Sequence, residues 1–378
     1  MRKRLLLTVL TAVLAVLAVP SAHASNRLIV GIFDEPQTFG NPDWAFRQYD
    51  RLGARAIRVN LYWGGESGVA RKRRPANAIN PADPAYDWTL YDETVKRAAE
   101  LEIKVVFSIL WTPRWAGPAR NQAPRRAIDL RNFAYAAAKR YSGRFRPVLD
   151  ALPLPAVRYW VAWNEPNNPV FLRPQYKRVG GRYLVWSPRT YTARICNPIW
   201  SGVHLTGFAN EKVACGVTSP RGSNSGRGTR PSISPLYFLA GMKRAGAVFD
   251  AYAHHPYYGH PSETPRTPPR GRTRTITLGN IEDLIRELTA LYGRKPLWIT
   301  EYGYQTNPPD RLFGVSFAAQ ARYLGQAYAF ARRNPRIDMM LWFLLKDEAR
   351  VANGWQSGFF TASGRRKPSF RAFQRVRK

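Results

Sequence analysis

From residue 28 onward, short runs rich in Val, Ile, Phe, Trp and Tyr alternate with longer stretches whose apolar positions recur every three or four residues. The apolar runs predict strands over 28–33, 56–61, 103–109, 157–162, 213–218, 249–254, 297–301 and 339–344. The amphipathic stretches predict helices over 42–52, 88–101, 129–141, 188–204, 235–245, 280–291, 317–332 and 368–377. A strand that is apolar at consecutive positions has both faces covered, and regular alternation with helices makes the sheet parallel. Eight such units in about 350 residues fit a single closed (β/α)8 TIM barrel, an α/β fold, better than an open doubly wound sheet.

In such a barrel the loops that follow strands build the active face, while those that follow helices stay short. The long irregular segments here follow strand two (64–86), strand four (166–187), strand five (220–234) and strand six (256–277). The first carries Arg71, Lys72, Arg73 and Arg74, and the second carries Phe171, Tyr176, Tyr183 and Trp186. Residues 221–231, rich in Gly, Ser and Arg, read as a mobile loop.

The N-terminus follows a different pattern. Arg2, Lys3 and Arg4 precede an apolar run over 5–19 and the small-residue ending Ala22-His23-Ala24. This reads as a secretory signal peptide over 1–24, leaving 25–378 as one catalytic domain. An apolar run of about 15 residues is short for a membrane span, so the mature chain is expected to be secreted and extracellular.

The 58 Lys and Arg against 25 Asp and Glu give a net charge of +33. These charges are scattered and do not follow one periodic face, so they indicate a solvated surface and not a nucleic-acid groove. A surface this basic attracts anionic polymers such as acidic polysaccharide or cell-wall material. Cys196 and Cys215 allow one disulfide closing a loop of about twenty residues, with two buried free thiols as the alternative. No metal is expected, because the two cysteines lack a histidine at ligand spacing and neighbouring His254 and His255 face opposite ways on a strand. No cofactor is expected either: the first strand leads into Gly31-Ile32-Phe33-Asp34 and not G-x-G-x-x-G, and no Walker loop is present.

Two carboxylates stand where chemistry is done in a barrel. Glu165 follows strand four in Val161-Ala162-Trp163-Asn164-Glu165-Pro166-Asn167-Asn168, and Glu301 ends the apolar run Pro296-Leu297-Trp298-Ile299-Thr300. Alone, Asn-Glu-Pro is equally a helix cap or a turn. A buried glutamate at a strand end is costly unless it is paired or works, and two of them facing each other across a barrel suit glycosidic bond hydrolysis.

Trp163-Asn164-Glu165-Pro166, the segment Trp298-Ile299-Thr300-Glu301-Tyr302-Gly303, and Trp342 on strand eight together resemble the retaining (β/α)8 glycoside hydrolases of clan A, such as the family 5 cellulases. The resemblance implies Glu165 as general acid/base, Glu301 as nucleophile, and Asn164 holding the sugar's 2-hydroxyl. It also implies Arg58 beside the nucleophile, favouring its ionised form, and His255 with Tyr257 reaching the site from the end of strand six, with the tyrosine hydroxyl on the nucleophile. Trp342 is the expected sugar-stacking platform, and His254 a core histidine. After strand three, Leu110-Trp111-Thr112-Pro113-Arg114-Trp115 is closer to the Thr-Pro-x-Trp of families 39 and 42, and Trp111 is taken as a further substrate-binding candidate. The stretch 357–368 resembles the segment that packs the barrel before the last helix. The expected protein is a monomeric, secreted β-glycosidase acting on a polysaccharide or oligosaccharide, its two carboxyl groups about 5–5.5 Å apart. The alternatives are a non-catalytic carbohydrate-binding barrel and a cell-surface adhesin held by charge.

Overall fold

The computed structural model describes residues 28–271, 274–352 and 354–376. The expected signal peptide over 1–24 lies outside them. All eight expected strands are present. They are β1 (Ile29–Phe33), β2 (Ala56–Tyr62), β3 (Lys104–Leu110), β4 (Tyr159–Ala162), β7 (Lys212–Thr218), β8 (Ala251–His254), β9 (Leu297–Tyr302) and β10 (Ile337–Phe343). Each pairs in parallel with the next, and β10 pairs back onto β1, closing the barrel. Between β4 and β7 the chain adds an antiparallel hairpin of β5 (Tyr176–Val179) and β6 (Arg182–Val185), inside a segment that reads as irregular in the sequence. Its turn is Gly180-Gly181, both at positive φ, which suits a two-residue hairpin.

The helices are α1 (Glu35–Gly40), α2 (Pro42–Leu52), α3 (Thr89–Glu100), α4 (Ala127–Arg140), α5 (Ser187–Tyr191), α6 (Asn197–His204), α7 (Pro235–Arg244), α8 (Ile281–Tyr292), α9 (Phe317–Arg333) and α10 (Pro368–Val376). The helix expected over 188–204 is broken into α5, a π-helical turn Thr192–Cys196, and α6. Pro198 has no N–H to offer the turn before it, and Asn197 bonds back to the Thr192 carbonyl, one residue further than in an α-helix. Cys196, at the end of that turn, is bridged to Cys215 on β7 with Cα atoms 5.8 Å apart, so the pair is a disulfide and not two thiols. Among the described residues no helix is long and apolar enough to cross a membrane.

Two cores sit either side of the sheet. Inside the barrel, Val106, Val161, Ala214, Ala251, Trp298 and Leu341 fill the axis. Outside it, Phe107, Trp160, Leu284 and Trp342 pack under the helices. One irregularity matters for the site. Met340 pairs with Ile299 and Trp342 with Tyr302, so two steps on β10 lie against three on β9. The extra residue is a bulge, which changes the facing of the residues after Thr300 and turns Glu301 into the barrel mouth.

Candidate active site

Four strand ends meet at the C-terminal mouth. β2 brings Arg58, the turn after β4 brings Asn164 and Glu165, the residues just past β8 bring His255 and Tyr257, and β9 brings Glu301. The turn after β4 is bent by left-handed backbone at Trp163 (φ 77°) and Glu165 (φ 37°). Such a conformation costs a non-glycine residue about 1–2 kcal/mol, so the surroundings must hold it. Trp163 Nε1 donates to the Phe171 carbonyl at 2.7 Å. Buried Asn167 accepts from the Ser219 N–H at 2.9 Å and donates to the Ile233 carbonyl at 2.9 Å, tying the turn to the loop over 220–234. That loop, which reads as mobile in the sequence, is also held at its base by Asn224, which donates to Ser234 Oγ at 2.9 Å.

Arg58 is fully buried and gathers the rest. Its Nη1 donates to Glu301 Oε1 at 2.7 Å, its Nη2 to Asn164 Oδ1 at 2.7 Å, and its Nε to Ser108 Oγ at 2.7 Å. Tyr257 donates its hydroxyl to the other Glu301 oxygen at 3.1 Å. Both Glu301 oxygens therefore meet donors suited to a carboxylate. Because Asn164 turns its oxygen to Arg58, its amide NH2 is left for the cavity.

His255 bridges the two acids. Its Nδ1 lies 3.1 Å from Glu165 Oε1, while its Nε2 lies 3.0 Å from Thr300 Oγ1 and 3.3 Å from Arg58 Nη1. A guanidinium only donates, so Nε2 accepts and Nδ1 carries the proton toward Glu165. Burial pushes the imidazole down to about 3, with the Arg58 charge adding to the effect and Glu301 opposing it, so the ring is neutral at pH 7. Glu165 moves the other way. Burial pushes its carboxyl up to about 7, against the opposing influence of Asn168, which donates to Oε2 at 3.2 Å, and of the Arg58 and Arg221 charges. Burial also raises the Tyr257 hydroxyl well above its usual range, which keeps it a donor.

One oxygen from each glutamate and a His255 nitrogen lie within 4.8 Å of one another. These three groups are also a potential metal-ligand set, but the positive partner they surround is Arg58, and both His255 nitrogens are already engaged. Above them opens a cavity of about 1670 Å³, walled by Trp111, Phe171, Phe343 and Trp355 among others. Trp111 (φ 65°) stacks on Phe171 with ring centroids 5.9 Å apart, and the Arg120 guanidinium lies over the Trp111 ring, 5.1 Å from its centroid.

The structure brings Arg58, Asn164, Glu165, His255, Tyr257, Glu301 and Trp111 to this mouth, and it corrects one expectation. Trp342 is fully buried under the helices, donates Nε1 to the Ser357 carbonyl at 2.8 Å, and packs on Phe359, so it is not a sugar platform. On β10 it is Met339 and Leu341 that point into the barrel, so the next residue on that face is Phe343. Phe343 and Trp355, whose rings pack edge-on at 5.3 Å, line the cavity that Trp342 does not reach. His254 is a core histidine, its ring nitrogens on Thr218 Oγ1 at 2.8 Å and the Ile276 carbonyl at 3.0 Å. Sequence reasoning also passed over Glu35, Asn60 and Tyr62 on the cavity wall. Only the spacing of Asn60 and Tyr62, two and four residues past Arg58 on one strand, marked them in advance.

Residues 237–373 match the family described as glycosyl hydrolase catalytic core. No curated protein matches the sequence. Among solved structures, a family 39 glycoside hydrolase from the gut symbiont Bacteroides cellulosilyticus WH2 is similar, with a TM-score of 0.62 and 18% identity over 92% of this chain and 63% of that one. A monomeric beta-xylosidase from Caulobacter crescentus CB15 gives a TM-score of 0.60 at 17% identity, over 92% of this chain and 67% of that one. A GH5_18 protein from Bifidobacterium longum subsp. infantis gives 0.57 at 15% identity, over 93% and 78%. The chain thus spans just under two thirds of the family 39 structure, and the likeness at these identities is one of fold.

Proposed function

We propose that this glycoside hydrolase of the clan A (β/α)8 type, a placement supported by the family match and the closed barrel, cleaves β-glycosidic bonds with retention by double displacement. Glu301 attacks the anomeric carbon as the C–O bond to the leaving group breaks, and Glu165 gives its proton to the departing oxygen. Glu165, now a carboxylate, takes a proton from water, whose oxygen then displaces Glu301 from the sugar. The observation that carries this reading is the pairing of two carboxyl groups in opposite settings, one oxygen of each lying within 4.8 Å of the other. One is held by Arg58 and Tyr257, and the other is raised by burial to about 7. That closeness is what a nucleophile and acid/base pair needs, whereas an inverting pair leaves room for water between them at about 6.5–9.5 Å.

The substrate class proposed is a polysaccharide or oligosaccharide, handled without a cofactor by a secreted monomer. Arg230, Arg274 and Arg311 on the outer loops of the cavity support distal contact with an anionic polymer, an attraction that salt would weaken. The test is a screen of aryl β-glycosides and plant or microbial polysaccharides with wild type and Glu301→Ala in parallel, following the anomer first released by NMR. Release of the β-anomer by wild type alone supports the proposal. Release of the α-anomer overturns the retaining mechanism. Sugar binding without turnover would favour the alternative of a non-catalytic carbohydrate-binding barrel.

A further inference from the structure

A second polar cluster lies on the cavity wall and takes no part in the chemistry above. Glu35 opens α1 directly after β1, and Asn60 and Tyr62 stand on β2. Arg58, Asn60 and Tyr62 alternate along β2 and so share a face, each about 6.6 Å nearer the mouth than the one before. Asn60 is therefore about one sugar ring away from the guanidinium that holds Glu301.

Within the cluster the hydrogen bonds run one way. Tyr62 donates its hydroxyl to Glu35 Oε1 at 2.7 Å, and Asn60 donates Nδ2 to the Tyr62 oxygen at 3.3 Å. Tyr62 has a single proton and it goes to Glu35, so the Asn60 atom facing it must be the amide nitrogen. That fixes the Asn60 side chain and leaves its oxygen over. Asn60 Oδ1 and Glu35 Oε2 are both buried with no hydrogen-bond partner, and Asn60 as a whole is only 8% exposed. Buried acceptors left unpaired are costly; the one Tyr62 proton is used on Glu35, and one of the two Asn60 amide protons is used on Tyr62. What the wall offers a ligand is acceptors, one of them on a carboxyl group.

Resting on the glycosidase reading, we infer that Glu35 and Asn60 form the glycone subsite next to the nucleophile, which selects a neutral sugar by accepting hydrogen bonds from two of its hydroxyls and rejects a uronic acid there. A sugar hydroxyl supplies the missing donor. A sugar carboxylate sets acceptor against acceptor at Asn60 and brings a second carboxyl group against Glu35, whose own ionisation burial already disfavours. The outer arginines lie on the loops after β7, β8 and β9, so any anionic part of a substrate is received away from this wall.

The experiment compares wild type, Glu35→Gln and Asn60→Ala on 4-nitrophenyl β-glycosides of glucose, galactose, mannose, xylose and glucuronic acid. The best neutral glycoside is then repeated in its single-deoxy forms. Each variant should lose about 10–100-fold in kcat/KM on the best neutral glycoside. That loss should nearly vanish on the deoxy sugar lacking the matching hydroxyl, and Glu35→Gln should narrow the gap between that glycoside and the glucuronide. The inference is overturned if the variants lose the same factor on the parent and on every deoxy form, or if the glucuronide is the best substrate of wild type. Binding of the same glycosides, followed by tryptophan fluorescence, separates the two proposals. Neutral sugars that bind unhydrolysed, and bind more weakly to Glu35→Gln, would sink the catalytic proposal and keep this one, whereas indifference of binding to both variants would sink this one. Should Glu35→Gln melt early, Asn60→Ala, which leaves the Glu35–Tyr62 bond intact, provides the same comparison.

Discussion

Glu165 and Glu301 are the same residue type, a few ångströms apart, in settings built by opposite means. Glu301 ends a strand and has a cation and a phenol on its two oxygens at 2.7 and 3.1 Å. Glu165 sits in a strained turn with a neutral imidazole and an amide as its nearest partners, and burial raises it to about 7. The fold thus gives one acid a cation from β2 and a phenol from just past β8, and gives the other only neutral donors. The proposed reaction needs one carboxylate and one carboxylic acid at once, and that difference is the basis on which the two roles are proposed.

Removing Glu301 should have the largest effect. Glu301→Ala deletes the proposed attacking group, and kcat should fall by about 10,000-fold or more, as for other nucleophile deletions. A variant that keeps more than a hundredth of wild-type turnover would move the nucleophile elsewhere. Stopped assays on a fast-leaving dinitrophenyl glycoside give the cleanest reading, because little proton transfer is needed there.

Glu165→Ala breaks the other half of the comparison and should depend on the leaving group. With a poor leaving group the loss should be about 100–10,000-fold, the usual contribution of general acid catalysis. With dinitrophenyl glycosides it should shrink sharply in the first step, and added azide should restore turnover by intercepting the glycosyl-enzyme, giving a β-glycosyl azide. An α-azide from Glu301→Ala, with no rescue of Glu165→Ala, would reverse the two assignments.

The two tryptophans near β10 allow a weaker contrast. Trp355→Ala removes an aromatic wall of the cavity and should lower kcat/KM by about 5–30-fold, the scale of one stacking contact plus its lost burial. Trp342→Phe removes a buried donor to Ser357 and part of a packed ring, and should cost about 1–3 kcal/mol in chemical denaturation while leaving kcat/KM close to wild type. The opposite pattern would restore Trp342 to the site.

That contrast also shows where the sequence stopped being legible. All eight strands could be located because parallel strands covered on both faces are continuous apolar runs. The same continuity hides their phase: nothing in Met339-Met340-Leu341-Trp342-Phe343 says which alternate set faces the axis, and a one-residue error exchanges Trp342 for Phe343. Glu301 was placed correctly from its motif, yet simple alternation from Trp298 would have turned it outward, and the bulge against β10 that rescues it leaves no sign in the sequence. Arg58 was readable through the resemblance, and its place on an interior strand fits a charge that needs a buried partner. Trp355 and Glu35 were not, since one lies in a loop and the other opens a short helix, and only the closed barrel brings them to the same cavity.

The smallest expected effect tests what sets Glu165 apart. If Glu165 must be protonated to act, kcat/KM for a substrate with a poor leaving group should fall as pH rises through about 7. Asn168 donates to the ionised form of Glu165 at 3.2 Å and so holds its carboxyl below where burial alone would leave it. Asn168→Ala removes that donor, and the carboxyl should keep its proton to higher pH. The alkaline limb of the profile should therefore move up while the plateau below it changes little, because Asn168 touches Glu165 and not Glu301. Dinitrophenyl glycosides should show the limb only weakly in either protein, since the proton matters least to their departure. A limb that stays in place, or that moves to lower pH, would mean that Glu165 is not the group whose protonation limits the rate, and the contrast between the two acids would have to be explained without it.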